Sequence, residues 1–419
     1  MIRDGGFSKR QIFVFSTCSV LLKLYSGVKL NAILCVGVKN NGSGYPVVNF
    51  DFSDEQKALQ SEVQRFLSDR SDLSVARAVL DDDSMSHATG VWREMLDLGW
   101  AGIAIPEQYG GVGLGYLELC VMAQELGRSL APVPFSSTVY QFCEAVLRGG
   151  NEEQRQAVLA GVAAGNTIGT LAFAEGVGFP APDRIKLRYE QGRLQGEKWP
   201  VADAMIADAA VVLAVNENNE PCLCLVNLAQ DGVQRRALDS IDPTRNQGTL
   251  VFDGAEAQLL GKPGDSAWTL FGAVLDAAAV LFAFEQVGGA EACLQSAIDF
   301  ANERKAFGRP IASFQAIKHK LADIYVGNQL ALSNAYYGAW ALASGSDELP
   351  LAAAVARVSA TEAYENAAAE NIQVHGGMGF TWEADCHLFL RRSRSLALLI
   401  GDLGMWKKQI IVEFERKVA

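Results

Sequence analysis

The spacing of apolar and polar positions changes period twice along this chain. At Ser53-Asp54-Glu55-Gln56 a capping box with acids in its first turn is followed by Leu59, Val63, Phe66 and Leu67 at helical spacing, so a helix starts there. Helical patterns recur over 91–98, 117–126 and 152–164, broken by the glycine-rich stretch 109–115, and they predict an all-helical first domain over 48–165. Near Thr167 the period drops to two. Ile185, Leu187 and Tyr189 alternate with charged residues ahead of a Gln191-Gly192 turn, and short apolar runs at 209–215, 222–226 and 249–252 are bounded by Gly, Asn or Asp. Residues 166–266 are therefore expected to form an antiparallel β-domain. Helical periodicity returns over 268–305, 314–344, 349–373 and a shorter final pair, which gives a helical domain over 267–419. The order α, β, α describes an α+β chain and not a doubly wound sheet. No βαβ unit carries a GxGxxG fingerprint, which excludes a Rossmann nicotinamide site.

Residues 1–47 do not share this organisation. The stretch 11–38 is apolar and β-branched, but Lys23 and Lys29 interrupt it short of the roughly 20 residues that cross a bilayer, so no membrane span is expected. Lys9 and Arg10 precede the apolar run 12–22 as in a signal peptide, yet Lys23 ends that run and no small-x-small cleavage site follows.

Charge and cysteine usage narrow the function. The 419 residues carry 36 Lys+Arg against 48 Asp+Glu, a net charge of −12 with a pI near 5.0. Such a surface repels phosphate backbones, so nucleic acid is excluded as a partner. At 49% hydrophobic and 20% charged residues the composition is that of a folded globular protein. Cysteines at 18, 35, 120, 143, 222, 224, 293 and 386 form no CxxC pair, and only His87, His319, His375 and His387 are available to complete a metal site. Cys222 and Cys224 point to the same side of a predicted strand. Reduced, mostly buried thiols in a cytoplasmic protein are expected, with no metal.

Two segments of the last helical part carry candidate chemistry. In Glu303-Arg304-Lys305-Ala306-Phe307-Gly308-Arg309-Pro310-Ile311 a long helix ends with cations in its last turn, where they complement the helix dipole. In Gln373-Val374-His375-Gly376-Gly377-Met378-Gly379-Phe380 glycines follow a helix and expose N–H groups to a phosphate or a ring edge. Each segment alone reads equally well as a helix cap or a tight turn.

Together they are far more specific. Arg-x-x-Phe-Gly-x-Pro-Ile from Arg304, Ser313-Phe314-Gln315-Ala316-Ile317 with His319, and Gln-x-His-Gly-Gly-x-Gly-Phe from Gln373 resemble the acyl-CoA dehydrogenase family. Leu98-Gly99-Trp100-Ala101-Gly102-Ile103, with Pro106-Glu107-Gln108-Tyr109-Gly110-Gly111-Val112-Gly113, resembles that family's helix-to-loop segment. The resemblance covers about residue 48 to the end and makes residues 1–47 an upstream extension, with a natural start near Val48. It implies a helical domain, a middle β-domain and a C-terminal four-helix bundle, assembled as a homo- or hetero-tetramer with a homologous subunit. It implies FAD between β-domain and bundle, an acyl-CoA substrate and an electron-transfer flavoprotein as acceptor. Carried over by motif, Arg304 meets the FAD diphosphate with Phe307 and Gln315 nearby, and Gln373, Gly376 and Gly377 meet the FAD of the adjacent subunit; a bidentate guanidinium suits a phosphate and a Gly-Gly backbone allows close approach. The implied reaction is α,β-dehydrogenation of an acyl-CoA thioester to the trans-2-enoyl-CoA, in fatty-acid, steroid side-chain or dicarboxylic acyl-CoA degradation. A carboxylate removes the α-proton while flavin takes the β-hydrogen as hydride.

The sequence departs from the family pattern at the base. Where the resemblance places a Glu before Gly401 stands Ile400, and where some members carry the base on the long helix stands Ala278, flanked by Ala277 and Ala279. The nearest acids are Asp402, Asp276 and Glu285. Asp402, in a Gly-flanked loop, is the best substitute base, and equally a cap for the final helix. Glu285, amid Phe282, Phe284 and Val287, reads as a structural partner for an Arg. On the β-domain, Ala174-Glu175-Gly176-Val177-Gly178-Phe179-Pro180 replaces the family's hydroxyl-bearing Thr-Glu-Pro-Gly-x-Gly-Ser, and Pro200 replaces a ring-stacking Trp, with Trp199 adjacent. Two functions therefore stand: an active dehydrogenase using Asp402, or a non-catalytic subunit completing the FAD site of a homologous catalytic chain. Gly288-Gly289 on the long helix either opens room for a bulky acyl group or permits close helix packing.

Overall fold

The computed structural model describes residues 52–418; the expected extension, the start near Val48, Cys18 and Cys35 lie outside the described residues. The first helical part runs through α1 (Asp54–Arg70), α2 (Leu73–Asp81), α3 (Thr89–Asp97), α4 (Tyr116–Arg128), α5 (Glu144–Gly149) and α6 (Glu152–Ala163). The capping box at Ser53 is formed in both directions: Gln56 N–H donates to Ser53 Oγ at 3.2 Å and Ser53 N–H to Gln56 Oε1 at 2.9 Å. One element was not legible in the sequence. Residues Ser136–Cys143 form a π-helix leading into α5, every side chain of it buried.

The middle part is a mostly antiparallel sheet of β1 (Gly169–Ala172), β2 (Arg188–Glu190), β3 (Arg193–Ala202), β4 (Ala209–Val215), β5 (Pro221–Asn227), β6 (Val233–Ala237) and β7 (Gln247–Leu260). Strands β4, β2, β3, β7 and β5 pair in a closed circuit, with β1 added on β4 and β6 on β7. Between these strands parallel pairing is confined to β4, which β1 and β2 join in that sense, and a single parallel bridge links Glu175 to Trp199 of β3. The apolar run of β4 is explained by its two buried faces: Ala210, Val212 and Ala214 join the barrel core with Cys222 and Cys224, while Val211, Leu213 and Val215 face the helices. Cys222 and Cys224 do share a side, with sulfurs 3.9 Å apart.

The last part is built on α7 (Asp265–Glu303), a helix of 39 residues, followed by the small hairpin β8 (Lys305–Ala306) and β9 (Arg309–Pro310). Then come α8 (Gln315–Ser344), α9 (Leu349–His375), α10 (Cys386–Leu398) and α11 (Leu403–Val418). Among the described residues α7 alone is long and apolar enough to cross a bilayer, and 72% of its most apolar window is buried inside the protein. Its hydrophobicity is thus that of a core helix enclosed on all sides. Where α7 crosses α4 the backbones touch: a Cβ on Gly288 would stand 1.8 Å from the Gln124 carbonyl oxygen, and one on Gly127 would stand 1.8 Å from that of Glu285. Glycine is required there by contact.

Candidate functional site

The end of α7 and the end of α9 pack against each other, and a ring stack lies in that contact. Phe300, one turn before Arg304, lies on His375 with ring centroids 4.1 Å apart and planes 26° apart. Ala297, Ala301 and Val374 are buried beneath, packed by Ile311, Ala312, Ile317 and Leu321. The hairpin between Arg304 and Gln315 turns on Phe307 and Gly308, both at positive φ (53° and 78°), as a two-residue hairpin loop requires. That conformation throws Phe307 outward, 95% exposed, with its ring 6.1 Å from Phe314, over which the Arg309 guanidinium lies at 4.2 Å.

Six sequence-predicted residues therefore share one end of the bundle. Arg304, Phe307, Gln315, Gln373, Gly376 and Gly377 are all exposed, and among the described residues Arg304, Gln315 and Gln373 have no side-chain hydrogen-bond or ion-pair partner. Gly376 adopts φ 59°, ψ −134°, and a Cβ on Gly376 or Gly377 would meet nothing within 4 Å. An unpaired guanidinium, two free amides, a bare glycine backbone and an outward ring form a donor set that fits an anionic, ring-bearing group approached from outside this chain.

The position of the expected base lies elsewhere. Ile400 is completely buried, and a Cβ on Gly401 would stand 3.2 Å from the Phe179 ring. Phe179 stacks on Phe271 of α7 at 6.1 Å, and both contact Phe173. Ala278 is fully buried on the same helix, next to Phe282, whose ring meets Tyr140 of the π-helix at 5.3 Å. From Phe271 to Arg304 is 33 residues of α7, about 50 Å at 1.5 Å per residue. The Arg304 and Gly376 segments and the loop at 400–402 therefore do not come together within one chain.

The candidate acids have other occupations. Asp402 is exposed and its Oδ1 accepts Met405 N–H at 2.8 Å, with its carbonyl accepting Trp406 N–H, so it caps α11. Asp276 faces α11, where Gln409 donates to its Oδ1 at 2.8 Å, and burial pushes its carboxyl up to about 6. Glu285, wholly buried, pairs with Arg245 and stands 3.8 Å from Arg392, which in turn holds Asp242 at 2.5 Å. Gly288 and Gly289 serve packing: a Cβ on Gly289 would stand 2.5 Å from Tyr364.

On the barrel, the segment around Glu175 is occupied by its own protein. Glu175 accepts Lys186 N–H, Leu187 N–H and the buried Lys198 ammonium at 2.8, 2.9 and 2.7 Å, and burial holds the Lys198 amine down to about 8. Trp199 lies against Gly176, whose Cβ would be 3.0 Å from its ring. Hydroxyls are absent here and Phe179 fills the loop, so these residues do not fit a flavin ring held by this chain's own barrel. Sequence reasoning missed His375 and Phe300 as a pair and Phe179, Phe271 and Tyr140 as fillers. The first signal was available, since Phe300 precedes Arg304 by one helical turn. The aromatics are ordinary core residues in a linear reading. Among the described residues no group of three or more His, Cys, Asp or Glu is placed to hold a metal.

Comparison with known proteins gives the following. Residues 53–166 match the model of the acyl-CoA dehydrogenase N-terminal domain and residues 267–413 that of the acyl-CoA dehydrogenase C-terminal domain. Acyl-CoA dehydrogenase IpdE2 of Mycobacterium tuberculosis is 32% identical over 348 residues, covering 83% of this chain and 93% of that protein. The structure of the ChsE4–ChsE5 complex from Mycobacterium tuberculosis superposes with TM-score 0.79 at 25% identity, over 88% of this chain and 99% of that one. A structure described as the Tcur3481–Tcur3483 steroid ACAD gives TM-score 0.79 at 28% identity, over 87% and 99%.

Proposed function

We propose, from the premise that this chain belongs to the acyl-CoA dehydrogenase family, that it is the partner subunit of a heteromeric FAD-dependent dehydrogenase acting on a bulky acyl-CoA such as a steroid side-chain thioester. The observation that carries this reading is the contrast between two ends of one helix. Near Arg304 the residues are exposed, unpaired and suited to a dinucleotide; near Phe271 the base position is the wholly buried Ile400, with Phe179 against the following Gly401. FAD, when bound, supplies the acceptor for the β-hydrogen. In this reading the chain's own residues only bind and orient: Arg304 would neutralise the diphosphate, Gly376 and Gly377 would admit close approach, and Phe307 and Gln315 would lie nearby. The carboxylate that takes the α-proton belongs to the homologous chain. The names of two similar structures, each pairing two different chains, and the word steroid in one of them support a heteromer and this substrate class.

The test is purification alone and with a homologous catalytic chain. The expected result is a colourless protein alone and a yellow complex that reduces a dye with acyl-CoA. A yellow protein that turns over acyl-CoA by itself overturns the proposal and revives Asp402 as base.

A further inference from the structure

We infer that His375 is a positioning residue for the flavin contacts, fixing Gly376 and Gly377 against Arg304 through its stack on Phe300. The inference rests on the reading above. Its geometry is specific. Asn371 offers a carbonyl oxygen to His375 Nδ1 at 2.8 Å, so Nδ1 carries the hydrogen and donates it. This bond ties the imidazole to the backbone of its own helix one turn earlier and fixes the ring beside the helix axis. One ring face then rests on Phe300 at 4.1 Å. Beyond the ring the chain enters Gly376 at φ 59°, ψ −134°, a conformation with no side chain of its own to hold it. Gly379 closes the turn under the same helix, where a Cβ would stand 2.6 Å from the Ile372 carbonyl oxygen and 3.1 Å from His375 Cβ.

The stack therefore joins two elements that are remote in sequence at the point where each presents its contacts. Arg304 follows Phe300 by one turn, and Gly376 follows His375 directly. Val374 is buried and Gln373 exposed, so the two residues before the imidazole are oriented by the same turn. A ring at 375 is what the arrangement demands, and its loss lets the Gly-Gly backbone move relative to the guanidinium without unfolding either helix.

The experiment uses the co-expressed complex and measures the FAD dissociation constant, with visible absorbance of bound flavin and the melting temperature of the flavin-free complex as companions. The control Arg304→Gln is expected to weaken FAD. His375→Leu is expected to weaken it about three- to tenfold, the worth of one aromatic pair, and His375→Phe, which keeps the ring, to stay within about twofold of wild type. The flavin-free complexes of the Leu and Phe variants are expected to melt together. If Arg304→Gln leaves FAD affinity unchanged, the reading of the site fails and this inference with it. If Arg304→Gln weakens FAD while His375→Leu binds it as well as His375→Phe does, only the inference is overturned.

Discussion

Removing the carboxylate of Glu285 separates a structural from a catalytic acid. Glu285 is 0% exposed and contacts two guanidinium groups, Arg245 directly and Arg392 at 3.8 Å, while Asp242 compensates Arg392 and Ser136 Oγ accepts from Arg245 Nη1 at 2.6 Å. Glu285 and Asp242 balance Arg245 and Arg392 in charge, with Asp203 and Arg357 as further buried neighbours of opposite sign. Glu285→Gln leaves one buried positive charge without a counter-charge, and breaking such a pair from one side costs about 3–5 kcal/mol. Arg245→Met leaves the opposite charge and is expected to cost about the same. The double variant restores neutrality, so its cost is expected to be about 2–4 kcal/mol less than the sum of the singles. Urea unfolding followed by intrinsic fluorescence reads all three midpoints. Additive costs, or a Glu285→Gln variant as stable as wild type, would refute the assignment of Glu285 as the carboxylate that docks the 242–245 loop onto the bundle.

Other outcomes follow from single contacts. Asp276 has its folded pKa raised to about 6 from 3.8, so the native state holds the proton more tightly than the unfolded chain; its ionisation lowers stability as pH climbs from about 4 to about 6, and the penalty is full above that. Asp276→Asn, which keeps the acceptor for Gln409, is expected to stabilise by about 2–3 kcal/mol at pH 7.5 and by much less at pH 4.5, and an equal gain at both would refute the burial argument. Gly288→Ala forces a methyl group into the Gln124 carbonyl and is expected to cost about 3 kcal/mol or more in thermal or urea unfolding; a variant enlarging the substrate range at no cost would show a pocket there instead. Asp402→Ala removes a helix cap worth about 1 kcal/mol and is expected to leave turnover of the flavin-loaded complex unchanged, so a steep loss of kcat would return it to catalysis.

Much of this architecture was legible in the pattern. The two period changes mark where helices give way to strands and return, because a half-buried strand and an amphipathic helix must repeat differently to bury one face. The start of α1 was visible in four residues, since the capping box is a local device. The π-helix was not, because every side chain from Ser136 to Cys143 is buried and the run has no period to read. Strand β3 escaped for the opposite reason. Its residues Gln195, Glu197 and Trp199 are exposed and two register shifts interrupt its pairing with β7, so charge and glycine obscure the alternation. At the site, motif spacing located Arg304 and Gly376, whose chemistry is carried by residue type. Phe179, Phe271 and Tyr140 were invisible as a group because they meet only after the barrel, the π-helix and α7 have packed.

The division of the site along α7 separates two sets of side chains. The Arg304 end and the Phe271 end are about 50 Å apart along one helix, far beyond the range over which substitutions usually interact. A substitution at Ile400 or Phe179 is therefore expected to leave the contacts at Arg304 unchanged. In the proposed assembly of two kinds of chain the two halves would face different flavins. There the Arg304 half would serve a partner's cofactor, while the half facing the chain's own barrel holds Phe179, Phe271 and Ile400, which bury apolar surface at about 25 cal/mol per Å² where an open cleft gains none. Reopening that cleft by Phe179→Ser and Ile400→Glu together thus sacrifices core packing before any carboxylate acts, so the expected outcome is a less stable chain that still binds no flavin of its own.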